Sequence, residues 1–175
     1  MTDSLLVAGR AIALDGHDGS GKSSVAAALA ARGYGSVVKP FSAGLGDYIA
    51  HLWGNRHFAE ADRAARFAVR AVSRVPGRLI FDRHWLTMAT VLPERYMKAW
   101  ERPKTVVCWA DLPTTIERLR QRGEEIGDLD YHRFYLDEYR RIADRAGVAV
   151  VETTSLSVAE AATAIAEILG LRTTA

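Results

Sequence analysis

The sequence predicts an α/β fold, a five-stranded parallel sheet between two layers of helices, and three observations carry that prediction. Short apolar runs, most of them rich in Val, Ile or Leu, alternate along the chain with longer segments of helical periodicity. The breaks between them are short, and nothing reads as a linker, a repeat or a low-complexity tract. At 175 residues, 49% hydrophobic and 25% charged, the chain has the size and apolar content of one compact domain, 1–175.

The elements follow in order. A first strand is expected at 11–15, ending on Asp15, then a Gly-rich turn and a helix at 22–32 stopped by Gly33. A strand at 36–39 precedes helices at 45–53 and 58–74, the second closed by Pro76-Gly77. Leu79-Ile80-Phe81-Asp82 reads as the third strand, followed by a helix over 85–100. A strand at 105–110 leads to a helix at 114–122, a further helix at 132–146 and a last strand at 148–152. Ser157, with Glu160 three residues on, signals the start of a terminal helix at 158–169. Crossover connections stack such strands into one sheet, and a ligand is expected at their carboxyl ends.

Composition narrows the functional classes. Twenty-three Lys and Arg against twenty-one Asp and Glu leave +2, too balanced for a surface that tracks a nucleic-acid polymer, so any anion site must be local. The single Cys108 allows no intramolecular disulfide and no zinc cluster, and it reads as a buried apolar residue in mid-strand. No apolar run approaches the ~20 residues that span a bilayer, and 1–10 lacks the signature of a secretory signal, so no membrane role and a cytoplasmic location are expected.

Gly16-His17-Asp18-Gly19-Ser20-Gly21-Lys22-Ser23 matches G-x-x-x-x-G-K-[ST], between a predicted strand and a predicted helix, which is the context that motif requires. Its glycines let the backbone fold into a nest of N–H groups around phosphate oxygens, helped by the helix N-terminus that continues through Ser24. Lys22 is expected to reach the β and γ phosphates, and Ser23 to offer its hydroxyl to Mg²⁺. The alternative is a Gly-rich turn that merely starts a helix.

A second acidic group is expected on the same edge. The third strand delivers Asp82 there, suited to Mg²⁺ or its water, with Arg83 presenting a planar fork to a second phosphate. The competing reading makes Asp82 a helix cap and Arg83 its surface partner. Arg63, Arg66, Arg70 and Arg74 share one face of the third helix, either solvated or aimed at an acceptor. Phe41, Trp53, Phe58 and Trp85 are candidates to stack on a base or to be core. His51, His57 and His132 lack ligand spacing and read as surface or cap residues.

These residues together resemble the thymidylate kinases, a family of P-loop nucleoside monophosphate kinases. The resemblance rests on Leu14 through Ser23, on Phe58-Ala59-Glu60-Ala61-Asp62-Arg63-Ala64, on Asp82-Arg83-His84, on Ala110-Asp111-Leu112-Pro113 and on Glu117 through Gly123. It implies the P-loop kinase fold with a small lid at about 122–133, and ATP with Mg²⁺ on Gly16 to Ser23. It also places Asp18 near the acceptor sugar, Arg63 near the base, Arg83 on the acceptor phosphate, Arg118 beside the adenine, and Arg120 and Arg122 at the lid's entrance. Gly19 stands where some members carry an arginine, so the chain resembles the class that brings arginine from the lid. Members are commonly dimers, which makes a homodimer an expectation here.

The sequence departs from the family at Lys39-Pro40-Phe41, which lacks the usual acid, and at 123–131, which holds no arginine. Read without the family, Gly123 and Gly127 with four acids suit a mobile closing loop or an ordinary solvated one. Three functions therefore stand. One is phosphoryl transfer from ATP to a nucleoside monophosphate, with dTMP or a related pyrimidine deoxynucleotide first. Another is a kinase of a nucleoside or small-alcohol hydroxyl, with Asp18 or Asp82 as base. The third is an ATP-gated binding protein.

Overall fold

A computed structural model describes residues 9–172 of the chain. Five strands, β1 (Ala11–Asp15), β2 (Ser36–Val38), β3 (Leu79–Asp82), β4 (Lys104–Trp109) and β5 (Ala149–Glu152), form one parallel sheet in the order β2-β3-β1-β4-β5. Central β1 and its neighbour β3 are buried along their whole length, as continuous apolar runs in a doubly covered parallel sheet should be.

Alternate residues of each strand feed two cores. On one face Ala11, Ala13, Leu79, Phe81 and Val107 pack under α2 (Ala43–Gly54), α3 (Phe58–Val72), α4 (Trp85–Ala89), α5 (Glu94–Met97) and α7 (Leu129–Ala146). On the other Ile12, Leu14, Ile80, Val106, Cys108 and Val151 pack under α1 (Lys22–Ala31) and α8 (Val158–Leu169). The remaining helix, α6 (Leu112–Gln121), follows β4, with the Asp111 carboxylate accepting from the Thr114 amide at 2.9 Å as its cap and Pro113 in its first turn. The three-layer α/β/α prediction and all five strands are present, with Cys108 fully buried in β4.

Two elements differ from the sequence reading by more than two residues, each for a local reason. The helix expected over 85–100 is two short helices, because Pro93 has no amide to donate and pushes Leu92 out of the helical region. The first of them ends as the Thr90 hydroxyl donates to the Thr87 carbonyl at 2.7 Å. Helix α7 starts at Leu129 rather than 132, capped by Asp128, whose carboxylate accepts from the Asp130 amide at 2.9 Å. The loop between α6 and α7, where a lid is expected, is thereby confined to 122–128. At α8 the expected capping box is present, Ser157 Oγ with the Glu160 amide and the Glu160 carboxylate with the Ser157 amide.

The connection after β1 runs to one side of the sheet, toward β2, and the connection after its neighbour β4 runs to the other, toward β5. The carboxyl ends of β1 and β4 therefore flank the switch point, and the glycine-rich turn that follows β1 lies there.

Candidate active site

The turn after β1 is shaped by contacts that only glycine tolerates. Gly16 has φ +145°, and a Cβ there would lie 2.2 Å from the Cys108 carbonyl oxygen of β4. Gly19, at φ +78°, would put a Cβ 2.7 Å from the Thr115 carbonyl oxygen of α6. Position 19 thus has no room for a side chain. Thr153, just past β5, holds the loop from behind, its hydroxyl donating to the Ser20 carbonyl at 2.8 Å. Arg118 spans the same gap, donating to the Gly19 carbonyl at 3.2 Å and to the Thr153 carbonyl at 2.7 Å.

Inside this turn Lys22 is 5% exposed, its ammonium donating to the His17 carbonyl at 3.2 Å and lying 3.6 Å from an Asp18 carboxylate oxygen. Burial, reinforced by the nearby Arg83 charge and opposed by Asp18, lowers its pKa to about 8. The Ser20 hydroxyl is buried in the loop without a hydrogen-bond partner. Ser23 sits half-buried in the first turn of α1, and Ser24 next to it is exposed.

The second group forms at the end of β3. In the sheet register Asp82 lies beside Leu14, and the Arg83 amide donates to the Leu14 carbonyl at 3.0 Å. Arg83 holds φ +79°, a left-handed backbone that a non-glycine residue adopts only at a cost. Its guanidinium donates to the Asp18 carboxylate. Burial alone would raise the Asp18 pKa, but Lys22 and Arg83 outweigh it and hold the carboxyl well below the usual range. Buried Asp82 forms an ion pair with Lys39 at 3.2 Å, which neutralises the strand-end carboxylate.

Other predicted residues take separate positions. Arg120 is exposed in the last turn of α6, and Arg122 pairs with Glu124 at 2.8 Å at the lid's start. Arg63 is on the exposed face of α3, paired with Glu60 at 3.0 Å. Arg66 instead turns inward to Asp62 at 2.7 Å, whose other oxygen accepts from the Trp100 indole at 2.9 Å. The arginine row of α3 is therefore split between solvent and core. Phe41 and Phe58 are half-buried against the apolar core beneath α2 and α3, and Trp85 is wholly in it.

Two features escaped the sequence reading. Asp15 is fully buried at the tip of β1, with one carboxylate oxygen accepting from the His84 amide (2.9 Å), the Thr87 amide (3.0 Å) and the Thr87 hydroxyl (2.5 Å). Its other oxygen has no partner, and burial, only partly offset by those bonds, raises its pKa. His132 is not a surface residue: it is 5% exposed, and its Nδ1 lies 2.7 Å from Nε2 of His17 in the phosphate loop. The Asp15 signal was its place at the end of an apolar strand; for His132 the only hint was its apolar company on α7.

No family's sequence model matches the chain, and no curated protein matches it in sequence. Solved structures do match in shape. The YorR protein of Bacillus subtilis, crystallised with phosphorylated GDP, superposes with TM-score 0.60 at 22% identity over 91% of this chain and 95% of its own. Deoxyadenosine kinase of M. mycoides with bound dATP gives 0.64 at 14% identity over 91% and 99%. Thymidylate kinase of Candida albicans gives 0.61 at 15% over 93% and 91%. Nearly the whole chain is covered in each case, with a phosphate-loop turn at the switch point of the sheet, and the fold is that of the P-loop nucleoside and nucleotide kinases.

Proposed function

We propose that the chain is an ATP-dependent phosphotransferase whose acceptor is a nucleoside monophosphate, dTMP or a related pyrimidine deoxynucleotide first among them. The observation that supports this best is the pairing of two anion-binding groups on one rim. The glycine turn with buried Lys22 suits the phosphates of ATP, and Arg83, aimed at Asp18 by a strained backbone, suits a second phosphate facing them. Phosphoryl transfer needs positioning and cations more than covalent chemistry, and a phosphate acceptor, already ionised near neutral pH, needs no general base.

Magnesium fits as an ion that arrives with the nucleotide. Among the described residues no group of three or more His, Cys, Asp or Glu side chains could hold a metal ion. The Ser23 hydroxyl and the Asp82 carboxylate are hard oxygen donors of the kind Mg²⁺ takes one or two of, leaving its other positions to phosphate and water. Bound there, the ion would neutralise charge on the transferring group.

A hydroxyl acceptor is the second reading, with Asp18 or Asp82 as its base; the Asp18 carboxylate, half-exposed on the phosphate turn, is open to such a hydroxyl. Coupled ADP release with a panel of nucleoside monophosphates and nucleosides separates the two. Turnover with a monophosphate supports the first reading, turnover with a nucleoside alone supports the second, and turnover with neither removes both. A partner captured only in the presence of ATP would then favour an ATP-gated binding protein. Among the described residues no helix is long and apolar enough to cross a membrane.

A further inference from the structure

The phosphate turn and the lid are far apart in sequence, yet one continuous chain of polar contacts joins them. His17 Nε2 meets His132 Nδ1 at 2.7 Å, and His132 Nε2 meets the carbonyl oxygen of Ile126 in the 122–128 loop. A carbonyl only accepts, so His132 Nε2 carries a proton and donates. In a neutral His132 the Nδ1 is then bare, and it accepts from the Nε2–H of His17. The rings fit when both are neutral and both carry their proton on Nε2.

The surroundings favour that state. His17 is 4% exposed, stacked on Tyr135 with centroids 5.7 Å apart and planes within 6°, and close to Tyr131 at 5.9 Å. Burial lowers its pKa to about 4, with Asp18 opposing and the charges of Lys22 and Arg83 reinforcing the effect. On the lid side, Arg122 is engaged with Glu124, and Arg133 of α7 is engaged with Asp130. The lid loop thus reaches the phosphate turn through imidazoles.

We propose that His17 and His132 form a clasp between the phosphate turn and the lid, and that His132 is a positioning residue that sets where the lid closes. The His17 carbonyl accepts from both Lys22 (3.2 Å) and the Ser20 amide (3.2 Å), so the residue that grips the lid also belongs to the nest that grips phosphate. A polyphosphate that draws the Lys22 ammonium off this carbonyl changes the setting of His17, and the ring chain carries the change to Ile126. The clasp stands on geometry alone; its effect on catalysis rests on the phosphoryl-transfer reading above.

Imidazole ¹⁵N–¹H correlation spectra of the wild-type protein near neutral pH test the clasp without any variant. Both rings are expected as neutral Nε2–H tautomers, and an imidazolium or an Nδ1–H form at His132 overturns the proposal. Two substitutions add a functional readout. His132→Phe keeps a ring and deletes both hydrogen bonds, whereas His132→Gln keeps one donor and one acceptor. Tryptic cleavage after Arg122 is expected to be about tenfold faster in H132F, as the loss of one to two hydrogen bonds implies, and near wild type in H132Q. Equal cleavage rates in wild type and H132F overturn the clasp.

With an active acceptor in hand, kcat is expected to fall about tenfold in H132F and to recover in H132Q, while ATP affinity measured by calorimetry changes by less than about threefold. A kcat left unchanged in H132F overturns the positioning role. Absence of turnover with every acceptor would refute the kinase reading while the spectra and the protease rates still decide the clasp.

Discussion

Replacing His84 by phenylalanine is expected to make the protein markedly more resistant to acid. The ring is 1% exposed, wedged edge-on between Phe81 (centroids 4.6 Å) and Trp100 (5.9 Å), and neither of its nitrogens has a hydrogen-bond partner. Burial alone lowers its pKa from 6.5 to about 3. The native state therefore refuses a proton that the unfolded chain accepts below pH 6.5, so this stability is complete above 6.5 and is lost as the pH falls toward about 3. At about pH 5 the unfolded histidine is protonated over neutral by roughly thirty to one, a penalty of about 2 kcal/mol, and His17, with its pKa near 4, contributes a similar amount. Urea unfolding at about pH 7.5 and about pH 5 should show the wild type losing some 2 kcal/mol more than H84F across that interval. Asp18, whose pKa is lowered, titrates below this window and does not blur it. If H84F loses as much stability as the wild type, His84 is hydrated or partnered in solution and the reasoning fails.

Three further outcomes follow from the site. Lys22, with a pKa near 8 in the free protein, must be charged to pair with phosphate, so calorimetry should show ATP affinity steady below about pH 8 and falling up to about tenfold per unit above it; a flat profile to pH 9.5 would contradict the assignment. Gly19→Ala forces a Cβ to 2.7 Å from the Thr115 carbonyl at φ +78°, whereas Gly123→Ala at φ +70° meets nothing within 4 Å. Thermal unfolding should show G19A losing at least ~2 kcal/mol and G123A about 1, with ATP affinity weakened only in G19A. Arg83→Ala leaves Asp18 without its guanidinium partner, and acceptor kcat/KM should fall at least about tenfold while ATP affinity stays within about threefold; equal loss of both would move Arg83 to the nucleotide side.

What could be read in the sequence was what is encoded locally. The phosphate turn needs only a strand, a fixed glycine spacing and a helix start, all within 11–31, and its lysine lies where the motif places it. Asp82 and Arg83 were legible because a four-residue apolar strand delivers them to a definite edge. Helix periodicity concealed the break at Pro93, since Trp85, Leu86, Met88, Leu92 and Met97 are core residues on either side of it and keep the apolar pattern running. The inward turn of Arg66 depends on Trp100, 38 residues beyond Asp62, and the meeting of His17 with His132 spans 115 residues. Contacts of that kind are set by how α3 and α7 lie on the sheet, which no short window of sequence contains.

The sheet also acts as a partition. Helix α1, which opens on Lys22, packs against α8 on one face, while Phe41, α2 and α3 pack on the opposite face, and the two apolar cores share no residue. On the proposed reading, donor grip and acceptor choice are then mechanically separable. Loop lengths and side chains in the α2–α3 layer can drift, and new acceptors be sampled, while the triphosphate hold on the far side is left undisturbed.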